Sequence, residues 1–236
     1  VPGKDPGTTD IVLEVKDRLP IHVRFGWDNY GSRYIRKDRY SATLSHNDLF
    51  GYGDMLSLQY QIADGRDYKL TAGQYLLPVN RRTKLGFLAS DSELELGQEF
   101  KDLNARGKSR MYGIFGMYDW ISQNDLTVTL NTGFDYLNSF NYQAGAEQSR
   151  DCMRVVKFGF DVDASDQWGG RNIFTPESSF GLSGDSLGGL KAKDTRSSRL
   201  GSGGKFIKHN FSYLRMQRMP WETQLLWINH AQVSPY

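Results

Sequence analysis

The feature that most constrains this chain is an alternation with a period of two residues, repeated along most of its length. Between positions 126 and 136, Leu126, Val128, Leu130, Phe134 and Tyr136 share one parity, while Thr127, Thr129, Asn131, Gly133 and Asp135 share the other. Successive side chains of an extended strand point to opposite faces, so such a segment reads as a strand with one apolar and one polar face. The same reading applies to 21–27, 40–47, 55–62, 68–75, 83–90, 110–121, 153–163, 171–182, 206–216 and 223–232. About eleven such strands separated by polar turns make an all-β chain. A further alternating run, Ile11 to Lys16, precedes them and is cut off at Pro20, which reads as the end of a separate small unit.

The connections narrow the architecture. LFGYGD, LLPVNRR, SQND, the Trp168-Gly169-Gly170 turn and QRMPWE are short, whereas 93–108, 138–150 and 183–204 read as longer polar loops, with ADGRD a tight exception among them. An antiparallel up-and-down meander with short turns at one end and long loops at the other is the pattern of a transmembrane β-barrel. A soluble sandwich, propeller or lipocalin-like barrel alternates as well. It supplies no reason for the rhythm of the connections, and it predicts an exposed face rich in Lys and Glu. Here the polar parity leans on Gly, Ser, Thr, Asn and Gln, with opposed charges such as Lys157 and Asp161.

Several function classes lose support at once. Lys plus Arg number 29 and Asp plus Glu 27, a balance of +2 without the concentrated basic excess of a nucleic-acid binder. The single cysteine, Cys152, allows neither an intrachain disulfide nor a cysteine-based zinc site. The four histidines, His22, His46, His209 and His230, lie in separate strands or turns, and G-x-S-x-G, H-E-x-x-H and C-x-x-C are all missing. Gly201 to Lys205, GSGGK, lacks the full phosphate-loop pattern and reads as a loop. No enzyme activity, metal or cofactor is expected. No apolar run reaches the roughly 20 residues of a spanning helix, which leaves barrel strands untouched as an option.

On the barrel reading, the polar parity faces a wet interior and comprises His22, Arg24, Ser57, Gln59, Thr127, Thr129, Asn131, Asp135, Lys157 and Asp161. Aromatic residues near strand ends, Trp27, Tyr30, Trp120, Tyr136, Trp168 and Trp221, fit the two interfacial girdles of such barrels. Arg24, Arg33, Arg36, Lys37 and Arg39 cluster around the first long connection, where they face either solvent or lipopolysaccharide phosphates.

Specific phrases carry a family resemblance. PGKDPGTTDIVLEVKDRLPIHVRFGWDNYGSR resembles the junction between the last periplasmic POTRA module and the first barrel strand of TpsB-type two-partner secretion transporters. These are the haemolysin and haemagglutinin secretion and activation proteins, relatives of BamA. DNYGSR with Arg36 to Tyr40 is similar to their first external loop, NDLFGYGDMLSLQY to a turn and strand, and FSYLRMQRMPWETQLLW to their L-x-R-x-Q-x-L-P motif. The resemblance implies that residues 1–19 end a POTRA module and that 20–236 form the N-terminal part of an outer-membrane barrel. About eleven of an expected sixteen strands are then present, truncated before the sixth external loop, with the missing strands from the rest of the same protein or another chain. It implies a pore that exports a large β-helical partner protein to the cell surface without nucleotide hydrolysis, in contact with outer-membrane lipid and lipopolysaccharide. A BamA-like assembly factor and a general porin or structural barrel are the alternative readings.

Overall fold

A computed structural model describes Gly7 and residues 19–184, 187–191, 193–199 and 201–235. The alternating run at Ile11 to Lys16, expected to close a separate module, lies outside the described residues.

The strands are β1 (Ile21–Asp28), β2 (Arg39–Asn47), β3 (Met55–Ala63), β4 (Tyr68–Pro78), β5 (Thr83–Glu95), β6 (Arg106–Ser122), β7 (Leu126–Gln143), β8 (Ala146–Ser165), β9 (Gly170–Gly181), β10 (Phe206–Arg218) and β11 (Gln224–Val233). They form one antiparallel sheet whose spatial order is the sequence order, each strand pairing with the next. This is the up-and-down topology expected from the short, local connections. β1 and β11 are its two margins.

The sheet is a single layer, and that decides where the apolar residues go. Buried hydrophobic side chains among the described residues are only Ala63, Val128, Val155 and Leu190. Val23, Phe25, Leu58, Phe87, Ile114 and Phe158 are instead exposed, at 43–81% of their accessible surface. The register shows that these exposed residues share one face: Phe87 pairs with Ile114, Ile114 with Phe134, and Val23 with Leu44, which pairs with Leu58. On β6 this apolar face runs from Tyr112 to Ile121, about ten residues, or roughly 25 Å once strands tilt as they do in barrels. That matches the apolar belt of an outer-membrane barrel, and a water-facing surface of this size would drive aggregation.

Two expected loops are largely strand. β7 continues to Gln143 and β8 begins at Ala146, so the segment read as the loop 138–150 is a hairpin closed by Ala144 and Gly145. Their φ values of 50° and 79° suit a two-residue turn that needs the left-handed region twice. Likewise β5 runs to Glu95 and β6 starts at Arg106, leaving 96–105 with a short 3₁₀ turn, Gln98–Leu103. Polarity on both faces erased the alternation there, while cross-strand ion pairs such as Lys108 with Glu93 hold the ladder. The rhythm of connections is weaker than the sequence suggests. It rests on 29–38, 96–105 and 182–205, since 64–67 and 144–145 are as tight as the turns opposite.

Those opposite turns are individually well built. In 48–54 the Gly53 N–H donates to Asp48 Oδ1 at 2.7 Å and the Phe50 N–H to Asp54 Oδ1 at 3.1 Å, with Asp54 fully buried. Asp48, Gly51 and Gly53 all have positive φ, which folds the seven residues 48–54 back within one tight bend.

Candidate functional site

The polar face is the natural candidate, because alternation forces each strand to contribute to it at every second residue. The register fixes which residues share it. His22 pairs with Ser45 and Ser45 with Ser57, while Arg24 pairs with Thr43 and Thr43 with Gln59. From Ser57 the same rung continues through Gln74, Leu88 and Gly113 to Asp135. On β7 and β8, Thr129 opposes Asp161, Asn131 opposes Gly159 and Gly133 opposes Lys157. All ten polar-parity residues, from His22 to Asp161, therefore lie on one face of the sheet, and Val23, Phe25, Leu58, Phe87, Ile114 and Phe158 lie on the other.

The two halves of this face differ chemically. On β1 to β4 it carries uncharged hydroxyls and amides, Ser41, Thr43, Ser57, Gln59, Gln61 and Gln74, beside Arg24. On β6 to β9 it carries carboxylates held in place by neighbours. Lys157 Nζ lies 2.6 Å from Asp135 Oδ2, Asn131 Nδ2 donates to Asp161 Oδ2 at 2.6 Å, and Thr129 Oγ1 donates to Asp119 Oδ1 at 2.8 Å. Arg171 Nε donates to Asp163 Oδ1 at 2.8 Å, and the same guanidinium pairs with the second carboxylate oxygen. A concavity of about 360 Å³ opens here, lined by Leu88, Phe115, Asn131, Asp135, Lys157 and Glu177 among others. Its glycines matter at one place: the Phe115 ring lies within about 2 Å of where a Cβ on Gly86 would be. Gly86 thus leaves the room in which that ring folds flat against the wall.

The pore-lining set read from the sequence left out three acidic members of this face, Asp119, Asp163 and Glu177. Asp163 has the parity of Asp161 and was legible by counting two. Asp119 has the parity of Gly113 and Phe115, and the irregularity that follows it, between Asp119 and Ile121, leaves Trp120 as an extra residue opposite β7. Among the described residues no cluster of His, Cys, Asp and Glu is arranged to hold a metal ion. The face offers water-compatible groups with its charges largely paired, which suits passage of a polar chain better than bond-making.

The aromatic residues fall at both ends of the strands. Trp27 and Tyr30 stand exposed at the long-loop end, at 64% and 84%, and Trp120, Trp168 and Trp221 at the turn end. Tyr136 differs, because the Arg154 guanidinium stacks on its ring at 3.3 Å. Arg154 is itself buried. Its Nε donates to the Leu187 carbonyl at 2.9 Å, Nη2 to Gly188 at 3.2 Å, and Nη1 to Leu137, Met153 and the Asn138 side chain at 2.8–3.0 Å. Backbone bonds from Leu190 to Cys152 and from Arg150 to Arg196 add the long loop to the projecting edge of β8. Loop 182–205 is thereby fastened to the sheet.

The basic cluster at the first long connection is mostly neutralised. Arg36 pairs with Asp67 at 3.1 Å, Arg39 with Asp28 at 2.8 Å, and Arg33 with Glu99 at 3.7 Å, so these arginines tie neighbouring loops together. At the turn end, the Gly170 N–H and the Asn172 amide hold the Asp166 carboxyl at about 2, with Arg215 assisting.

Comparison with known proteins adds to this geometry. The sequence model of the family described as haemolysin secretion/activation protein ShlB/FhaC/HecB matches residues 7–233. The heme/hemopexin transporter protein HuxB of Haemophilus influenzae (strain 86-028NP) is 24% identical over 137 residues, covering 58% of this chain and 24% of HuxB. HuxB from strain ATCC 51907 is 23% identical over the same length. Among solved structures, CdiB from Escherichia coli superposes with a TM-score of 0.82 at 16% identity, over 94% of this chain and 42% of CdiB. CdiB from Acinetobacter baumannii gives 0.67 at 12% identity, over 92% of this chain and 38% of that one. The chain thus spans about a quarter of the length of these HuxB proteins and about two fifths of the two CdiB chains.

Proposed function

This chain belongs to the haemolysin secretion/activation protein family, and from that membership we propose that it forms part of the wall of an outer-membrane pore exporting a partner protein. It is an outer-membrane protein of the transmembrane β-barrel architecture. The export step is our reading. The observation that carries it is the partition of side chains from β1 to β8, with the ten polar residues His22 to Asp161 on one face of the sheet and exposed Val23, Phe25, Leu58, Phe87, Ile114 and Phe158 on the other.

In this reading residues 20–236 are barrel wall, and residues 1–19 end a periplasmic POTRA module. The polar face lines the conduit. Hydroxyls and amides at Ser57, Gln59, Thr127, Thr129 and Asn131 exchange hydrogen bonds with water and with a passing backbone at little net cost. The pairing of Lys157 with Asp135 keeps that wall from presenting a sticky single-sign field. The cargo is a large secreted β-helical protein, and its folding outside the cell supplies the drive, with no nucleotide hydrolysis and no chemistry on the cargo. Trp27 and Tyr30 at the surface side, and Trp120, Trp168 and Trp221 at the periplasmic side, sit at the lipid interfaces. Outer-membrane lipid and lipopolysaccharide surround the apolar face, and further strands, from the rest of the same protein or from another chain, pair with β1 and β11.

The test is deletion of the gene in its host, followed by comparison of the secreted proteins. Loss of one large secreted protein, restored by the intact gene, is the expected result. An unchanged secretome with impaired insertion of many outer-membrane proteins would favour an assembly role instead. Altered uptake of small solutes alone would favour a porin.

A further inference from the structure

We propose that the lipid-side outer rim of β5 and β6 is a binding site for the phosphate groups of an outer-leaflet glycolipid. The proposal rests on the outer-membrane reading above and assigns a ligand to a surface that the export route does not use.

The site follows from the register. Tyr112, opposite Tyr136, marks the outer limit of the apolar face on β6. Above it, at the same parity and so on the same lipid-facing side, stand Arg110, Lys108 and Arg106. Each same-face step rises about 5 Å along the membrane normal in a tilted barrel strand, so these three cations occupy roughly the first 15 Å above the aromatic level. That is the headgroup zone of the outer leaflet.

The cations are arranged, not scattered. Glu93 on β5 is engaged by both Arg106 and Lys108, the latter at 3.2 Å, so one carboxylate orients two positive groups, with Glu95 opposite Arg106 and Asp91 paired with Arg110 on the same face. Both remain accessible, with side chains 46% and 39% exposed. Beside them lies a concavity of about 430 Å³ lined by Asn104, Arg106, Lys108, Tyr142 and Gly145. No carboxylate lines it. Arg106 and Tyr142 are directly opposed across β6 and β7, which places a guanidinium and a phenol on one rung. A phosphate monoester or diester fits this set: a planar guanidinium for two oxygens, an ammonium for a third, and a hydroxyl donor.

A membrane glycolipid is the occupant that the position selects. The pocket opens on the face opposite the polar wall, so an exported chain moving along that wall does not pass it. Below it on the same face of β6, past Arg110, stand Tyr112 and Ile114, on which acyl chains would lie. Arg33, Arg36 and Arg39, the basic residues most conspicuous in the sequence, are committed to Glu99, Asp67 and Asp28.

The experiment uses the full-length protein purified in detergent and purified lipopolysaccharide, intact or enzymatically dephosphorylated, with bound lipid counted by native mass spectrometry. Intact glycolipid is expected to bind, and the double variant R106Q/K108Q to weaken it by about tenfold or more, as for loss of two charge-assisted contacts. Dephosphorylated glycolipid should bind the unaltered protein as weakly as intact glycolipid binds the variant, which keeps the test valid even if that variant folds poorly. R33Q should leave binding unchanged. Equal binding of the two glycolipid forms, or a variant that binds like the parent, overturns the site. Export of the partner is scored in parallel in cells. Unaltered glycolipid binding with export intact rejects this site and spares the transport reading, whereas a secretome indifferent to gene deletion rejects transport and spares the site.

Discussion

The wall made by β6, β7 and β8 and the margins β1 and β11 are built from the same alternating strands, yet they are satisfied in different ways. β7 and β8 pair from Leu126 opposite Ala164 to Gln143 opposite Ala146, have neighbours on both sides, and carry a loop fastened by buried Arg154. β1 pairs on one side, and seven of its eight residues are exposed; β11 is exposed at every one of its ten positions. A single-layer sheet has no shared core, so each ladder is stabilised by its immediate neighbours and by the medium on each face. Within hydrocarbon, an unpaired strand edge leaves N–H and C=O groups unsatisfied at several kcal/mol each. The middle of the sheet is therefore self-sufficient in hydrogen bonds, while β1 and β11 each have a ladder partner on one side only among the described residues.

The strongest way to break this comparison is to put charge on the wrong face in the middle. Phe134→Arg, on the apolar side of β7, should cost about 2–4 kcal/mol when unfolding by urea is followed in lipid vesicles. Thr129→Arg, on the opposite face, should cost little, and equal losses at both positions would mean that both faces meet the same medium. Next in size is Arg154→Met. It strips the Leu187, Gly188 and Leu137 carbonyls of their donor and should lower local stability by about 2–3 kcal/mol. Hydrogen exchange should then quicken in 182–205 and leave β1 unaffected. Faster exchange spread evenly over the sheet would show that the loop is not separately fastened.

These two residues also show what the sequence disclosed and what it hid. Phe134 and Thr129 were assigned to opposite faces by parity alone, because barrel strands write their environment directly at a period of two. The same parity put all ten polar residues, His22 to Asp161, on one face of the register. Parity failed where both faces are wet. Glu93, Arg106 and Lys108 read as loop, since charged residues on both sides of a projecting ladder leave no apolar rhythm, and only cross-strand pairing reveals the strand. Arg154 was illegible for another reason. Its partners Leu187 and Gly188 are more than thirty residues away, in a segment whose composition suggested only a flexible loop.

Smaller effects sharpen the picture at the ends of the strands. Asp166, in the turn after β8, titrates at about 2 in the folded protein against 3.8 ordinarily, because the Gly170 N–H, Asn172 and Arg215 favour its charged form. The folded state therefore gives up this proton more readily than the open chain does. Its contribution is complete above about pH 4 and disappears as pH falls toward 2. Asp166→Asn should flatten the acid limb of stability over that window, and an unchanged limb would remove this turn from the account. The smallest change should come from Asp91→Asn, which breaks the exposed pair with Arg110. A loss of under about 1 kcal/mol is expected, measurable only by a double-mutant cycle, and a larger one would mean that the outer ladder is drier than its exposure indicates.

The central claim is that one face of this sheet meets water and the other lipid. It is tested most directly by cysteine scanning along β7 in intact outer membranes, in a Cys152→Ser background, with a thiol reagent too polar to enter lipid. The account predicts labelling at Thr127, Thr129 and Asn131 and protection at Val128, Leu130 and Phe134. Labelling at Val128 and Leu130 with protection at Thr127 and Thr129 would reverse the facing and contradict it.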